Sequence, residues 1–278
     1  MLRLAFTFMV STGCMMAAAP AKSPAPDTKV STRDLDRINW MEFREVVPKK
    51  IDTVLLPTGT LEPHGVTANG ADNIAPRAIA FEIAGEVDAM VAPTLPYGIT
   101  GSMSNYPGAF QISADVYRPF VKQVIEGLAD NGFRNIVIIN GHGGPQTAVL
   151  QSVAAEVANE RRGTRTLVVN WWSYASEITK DVFGEDGGHA GLNETAFMQA
   201  IDPKLVHPDR YSEDMATAYP QNKAWSATPF PTSIGLYKEG EGYPDFDQKK
   251  AERYYQRVNA ALAELIRRTI RQWNAAGV

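Results

Sequence analysis

Asn135-Ile-Val-Ile-Ile139, continued without a break by Asn140-Gly-His142-Gly-Gly144, is the stretch that decides how this chain folds. A short apolar run rich in β-branched residues, stopped by glycine, reads as a buried parallel strand. The pattern recurs at Ile51–Pro57 (IDTVLLP, ending in Thr-Gly-Thr), Met90–Leu95 (MVAPTL) and Thr166–Val169 (TLVV). Helical stretches lie between and after these runs, at Ile74–Glu86, Ala114–Asn131, Gln146–Arg162 and Glu194–Ala200, with a last amphipathic helix over Asp247–Trp273. In the second of these, Val116, Phe120, Val124 and Leu128 recur at helical spacing, and Asn131-Gly132 supplies a stop. Alternation of this kind predicts an α/β fold: a single-domain three-layer sandwich, its mostly parallel sheet covered by helices on both faces, spanning residues 32–278. Such sheets bind ligands beyond the carboxyl ends of their strands.

Two histidine motifs fall at that edge. Glu62-Pro-His64-Gly65 follows the first strand, and His142 follows the Asn135–Ile139 strand. A third, Gly188-His189-Ala-Gly191-Leu-Asn-Glu194, stands before a helix, so three of the chain's four histidines adjoin glycine. The imidazole offers a nitrogen ligand, and the missing neighbouring side chain lets backbone and substrate approach. Glu62, His64 and Asp72, joined by His142, make a mixed oxygen and nitrogen set suited to zinc, manganese or iron(II) rather than calcium. Singly, each carboxylate reads as a solvated loop residue and each histidine as a cap; together at strand ends they predict a site for one or two divalent ions. Such an ion lowers the pKa of bound water towards roughly 7 and polarises a carbonyl oxygen. His189 and Glu194 are then the catalytic, proton-handling pair. A carboxylate in a first helical turn is also favoured by the helix dipole alone, so capping is the plainer role for Glu194.

Composition sets the limits. The 278 residues are 44% hydrophobic and 21% charged, enough for a sizeable core. A net charge of −4, with no basic stripe, argues against nucleic acid and fits a small, uncharged or mixed-charge substrate better than a polyanion. Residues 1–21 read as a signal peptide: Arg3, an apolar stretch from Leu4, then Ala19-Pro20-Ala21, with residues 22–31 a polar linker. Export, to the periplasm, is the expectation, without a permanent membrane span. Cys14 is the one cysteine and lies in that leader, so the mature chain has no disulfide. A lipid anchor on Cys14 ranks second, because Ser11 stands where a bulky aliphatic residue is usual.

The blocks LPTGTLEPHG (56–65 region), NGHGG (140–144) and HAGLNET (189–195), with Leu95-Pro-Tyr-Gly98 and Tyr106-Pro-Gly108, resemble the signature blocks of the creatininase family of metal-dependent amidohydrolases. The likeness covers most of residues 38–200. It implies an α/β sandwich, a homo-oligomer and a metal centre acting on carbon–nitrogen bonds. By motif matching it implies Glu62, His64, Asp72 and His142 as ligands, Asp72 bridging if two ions bind, and His189 and Glu194 at the catalytic centre, Glu194 also as a ligand. Tyr97, Trp171 and Trp172 are the expected substrate-pocket residues, and the loop from Tyr97 to Gly108 a possible lid.

The chain also departs from that pattern. The Glu62–Asp72 loop is one residue short, so Asp72 is preferred over Asn73 as ligand, and Thr67 stands near a usual second histidine. Gly144 replaces a glutamate, Pro145 an asparagine, and Met103 falls near a usual histidine. The function expected is hydrolysis of a small cyclic or linear amide through a metal-activated hydroxide. The alternatives are a peptidase- or deformylase-like metallohydrolase on the same scaffold and a non-catalytic periplasmic binding protein that holds a metal.

Overall fold

The computed structural model describes residues 30–218, 224–238, 242 and 246–278. The expected leader with Cys14, and most of the linker after it, lie outside the described residues. Helix α1 (Trp40–Val46) precedes strand β1 (Thr53–Thr58) and helix α2 (Ala71–Ile83). Then come β2 (Ala89–Val91), α3 (Ala114–Asp130), β3 (Asn135–Asn140), α4 (Gly144–Glu160) and β4 (Arg165–Asn170). Helices α5 (Trp171–Tyr174), α6 (Ser176–Phe183), α7 (Leu192–Ile201) and α8 (Gln248–Ala276) complete the described chain. All four strands run parallel in the order β2-β1-β3-β4.

The layers follow from the two-residue period of a strand, which sends successive side chains to opposite faces. Leu55, Val137 and Ile139 point to one face and pack with α2, α7 and α8 through Ile79, Ile83, Phe197, Tyr254 and Leu262. Val54, Leu56, Ile136 and Ile138 point to the other and meet α3 and α4 through Tyr117, Val121, Ile125, Leu150 and Val153. Both faces of β1 and β3 are fully buried, which is why these strands read as unbroken apolar runs. The three-layer sandwich expected from the alternation is the one observed.

Some boundaries differ, each for a local reason. The second strand pairs regularly only over Ala89–Val91; beyond Pro93 the chain returns to β1 at a single point, where the Leu95 N–H donates to the Pro57 carbonyl. The stripe Val116, Phe120 does not enter the core. Helix α3 buries Tyr117, Val121 and Ile125 instead, one position over, and leaves Val116 and Phe120 exposed. Helix α2 begins at Ala71, three residues before the expected start, which moves Asp72 from a loop into a first helical turn. Helix α1 was not expected; Asn39 caps it by accepting from the N–H groups of Met41 and Glu42. Among the described residues no helix is long and apolar enough to cross a membrane.

The strand order reverses direction between β1 and β3, so the crevice at their carboxyl ends is where a ligand belongs in such a sheet. Two glycines shape it. Gly59 follows β1 and Gly141 follows β3, and a Cβ on either would lie 2.1 or 2.0 Å from the Asp72 carbonyl oxygen. Only residues without a side chain let the first turn of α2 settle between the two strand ends.

Candidate metal centre

That settlement presents Asp72, buried in the first turn of α2, to histidines from two loops. Its Oδ1 lies 2.9 Å from Nε2 of His64 and its Oδ2 2.8 Å from Nδ1 of His142. Glu62 Oε1 stands 3.1 Å from the same His142 nitrogen and 3.4 Å from Nδ1 of His189. Glu194 Oε2 is 3.6 Å from His64 Nε2 and accepts the Ala190 N–H at 2.7 Å. The six residues expected from the sequence as ligands or catalytic groups therefore meet in one place.

The imidazole tautomers are set by the backbone. Nδ1 of His64 lies 2.9 Å from the Glu62 carbonyl, Nε2 of His142 2.9 Å from that of Ile99, and Nε2 of His189 2.8 Å from that of Pro63. A carbonyl only accepts, so each of these nitrogens carries its hydrogen, and the other nitrogen of each ring is aimed at carboxylate oxygens. Two lone pairs facing each other need a cation or a proton between them. Glu62 Oε2, moreover, is buried with no hydrogen-bond partner. Backbone-anchored imidazoles with their free nitrogens turned inward are the usual outer support of a metal site.

Nitrogen and oxygen separations of 2.8–3.6 Å match the edges of a coordination shell. Metal–ligand bonds near 2.1 Å give edges of roughly 3.0–3.4 Å. The donor atoms fall into three overlapping groups: Glu62, Asp72 and His142; His64, Asp72 and Glu194; and Glu62, His64 and His189. Asp72 is shared by the first two, one oxygen facing each. The residues fit a divalent cation.

Without one, protons stand in. Burial opposes a charge on His64, but the Asp72, Glu194 and Glu62 carboxylates outweigh it and raise its pKa to about 10. His142 is raised well above its usual value in the same contest, by Asp72 and Glu62 against burial. Burial acts against the Asp72 carboxylate, yet His64 and His142 hold it below the usual range. Burial pushes Glu194 up to about 7 and raises Glu62 as well. His189 goes the other way, down to about 3, since burial and the neighbouring His64 both disfavour its charge.

Local sequence explains the placements. Asn140 closes β3 and accepts from the Thr58 hydroxyl, the Gln146 amide and the His142 N–H, fixing the turn that carries His142. At the third motif, Asn193 accepts the Gly188 N–H and Ala190 holds a φ of +54° between His189 and Gly191. The Glu194 carboxylate caps that strained turn while facing His64, so it serves both as cap and as part of the cluster.

The cluster floors a cavity of about 220 Å³ whose upper lining includes Ser102, Gly143, Gly144, Trp172 and Tyr237. Trp172 lies in that wall; Tyr97 and Trp171 do not. Tyr97 is 48% exposed with its ring against Phe110, and Trp171 is buried in the core against Phe197. The indole that starts α5 is carried inward by the helix, leaving only its neighbour at the surface of the site. From the expected lid, Thr100, Gly101 and Ser102 roof the cavity. Met103 is buried with Ala190, Phe230 and Leu236 behind the His189 turn. Tyr237 was missed: it sits in a polar, glycine-bearing stretch with no periodicity or motif, and no sequence signal marked it.

A family model described as creatinine amidohydrolase matches residues 36–266. The chain is 24% identical over 209 residues to the creatinine amidohydrolase of Pseudomonas putida, covering 69% of this chain and 80% of that one. It is 27% identical over 176 residues to the mycofactocin precursor peptide peptidase of Mycobacterium ulcerans (strain Agy99), 60% of this chain and 65% of that protein. Two solved creatininases, a mutant of zinc–zinc type and a manganese form, each superpose with a TM-score of 0.71 at 22% identity. Each match covers 86% of this chain and 98% of the other.

Proposed function

This chain belongs to the creatininase family of amidohydrolases, hydrolases of carbon–nitrogen bonds, and on that premise we propose that it cleaves a small cyclic or linear amide at the Glu62–His64–Asp72–His142–Glu194 cluster with one or two divalent ions. The observation that carries this is Asp72, whose two oxygens face His64 at 2.9 Å and His142 at 2.8 Å. Two ions would share it, Glu62 and His142 completing one shell, His64 and Glu194 the other. When bound, the ions supply Lewis acidity and a water of lowered pKa. Glu194, with one oxygen spent on Ala190 and turned to His64, acts as a ligand. His189 is neutral at ordinary pH and keeps the Nδ1 lone pair beside Glu62. There it would accept the proton of the attacking water and pass it to the nitrogen that departs as the C–N bond breaks. Trp172 walls the substrate.

Gly144, standing where the family resemblance implies a glutamate, leaves open space above the cluster, with nothing within 4 Å of a Cβ built on it. That favours a substrate other than creatinine itself. A peptide amide is the second reading, favoured by the likeness to a peptidase at 27% identity. Export on the leader at residues 1–21 and homo-oligomeric assembly remain parts of the proposal; fractionation of expressing cells and light scattering test them. The central experiment is metal analysis of the wild type and His142→Ala, alongside turnover of a panel of cyclic, linear and peptide amides. Joint loss of metal and turnover is expected. Full metal occupancy in His142→Ala, or a metal-loaded wild type inert on every amide, sinks the proposal.

A further inference from the structure

Above the cluster, the cavity carries little that can donate a hydrogen bond. No lysine or arginine is among its described lining residues. The imidazole N–H groups are spent on the carbonyls of Glu62, Ile99 and Pro63. Thr100 gives its proton to the Phe110 carbonyl at 2.6 Å. Apart from the Trp172 indole, the side-chain donors left are Ser102 and Tyr237, whose hydroxyls lie 2.9 Å apart. Two hydroxyls joined by one hydrogen bond use one proton between them and keep one.

The Tyr237 ring is held on two sides, 4.7 Å from the His189 ring and 4.5 Å edge-on to Phe230. His189 is in turn 4.6 Å from His64, so the phenol continues a row of tilted ring contacts that begins inside the ligand cluster. Burial raises the Tyr237 pKa against the opposing hydrogen bond with Ser102, so the phenol keeps its proton at any ordinary pH.

We propose that Tyr237, anchored by Ser102 and packed against the His189 ring, donates a hydrogen bond to the substrate's amide group and so turns it towards the ligand cluster. This rests on the metal centre proposed above. It follows that the site favours an uncharged amide: among the described lining residues no lysine or arginine is present to receive a substrate carboxylate.

The test uses the whole protein loaded with cobalt(II), with acetohydroxamate as an uncharged, metal-chelating amide analogue. Affinity is read from the visible spectrum of the cobalt centre in wild type, Tyr237→Phe and Ser102→Ala. Phenylalanine keeps the ring contacts, so cobalt affinity and the unliganded spectrum stay as in wild type. Acetohydroxamate affinity is expected to fall about tenfold, the usual cost of one lost hydrogen bond in a dry site. Ser102→Ala falls less, since the tyrosine remains. Wild-type affinity in Tyr237→Phe overturns the proposal, as does an equal loss of cobalt and hydroxamate, which would mark a structural role. A wild type that binds neither cobalt nor acetohydroxamate overturns the metal centre itself, and this inference with it.

Discussion

Replacing Gly141 by alanine tests how the site is held rather than what it holds. A Cβ there would lie 2.0 Å from the Asp72 carbonyl oxygen, 2.8 Å from its carbon and 2.9 Å from Cγ of Pro76. Real Cβ atoms do not come within 3.0 Å of such neighbours, so backbone must move by at least 3.0 − 2.0 = 1.0 Å. The moving part is the first turn of α2, which carries Asp72. Ligand sets tolerate about 0.5 Å of displacement, and disturbing the support of a ligand weakens metal binding by about 10–100-fold. Asp72 serves both halves of the cluster, so the larger figure is expected. Overpacking itself costs about 1–3 kcal/mol, which in a domain of this size lowers Tm by roughly 2–12 °C. The assay is competition for zinc against a chromophoric chelator, with thermal unfolding followed in parallel. Gly143→Ala is the control: its φ is −82° and its Cβ would meet only Trp172, at 3.6 Å. Zinc affinity in Gly141→Ala within about twofold of wild type, in a folded protein, refutes the idea that glycine is needed there for the metal.

Three further outcomes follow from the same geometry. His189→Ala should keep its metal and lose about 10²–10⁴-fold in turnover, the usual worth of a general acid–base group; metal loss measured by atomic absorption would make His189 a ligand instead. At pH 7 the metal-free protein holds protons on His64 and His142 and a share of one on Glu194, so zinc binding should release about two to three protons, counted by calorimetry in buffers of different ionisation heat; zero release would contradict the site's charge balance. In the metal-free protein His64 binds its proton more tightly folded than unfolded. Its contribution to stability is therefore complete below about pH 6.5 and lost as pH rises through about 10. Tm should fall across that window and cease to do so once zinc is bound.

The sheet was legible because burial on both faces leaves its mark within a few residues: Val54–Leu56 and Ile136–Ile139 are unbroken apolar runs that glycine ends. The cluster was legible because its histidines stand beside glycine and at strand ends, where the topology alone brings separate loops together. Asp72 was found by spacing, though its place in a helix was not, since Gly70-Ala71-Asp72 carries no strong start signal. The cavity wall resisted reading. Whether an aromatic residue faces a site or a core depends on a rotation of one position. Trp171 went inward and Trp172 outward across a single peptide bond. Tyr237 reaches the site from well beyond the last motif, which ends at Thr195, through contacts with Phe230 and Ser102 that no local pattern encodes.

Met103, Ala190, Phe230 and Leu236 form a small apolar cluster of their own, apart from the two large cores that clamp the sheet. Ala190 is the one of these four that belongs to the turn carrying His189, and its N–H is the one the Glu194 carboxylate holds. This minor core is therefore a hinge between what admits the substrate and what acts on it: a side chain changed at Met103 or Phe230 presses on His189 from behind.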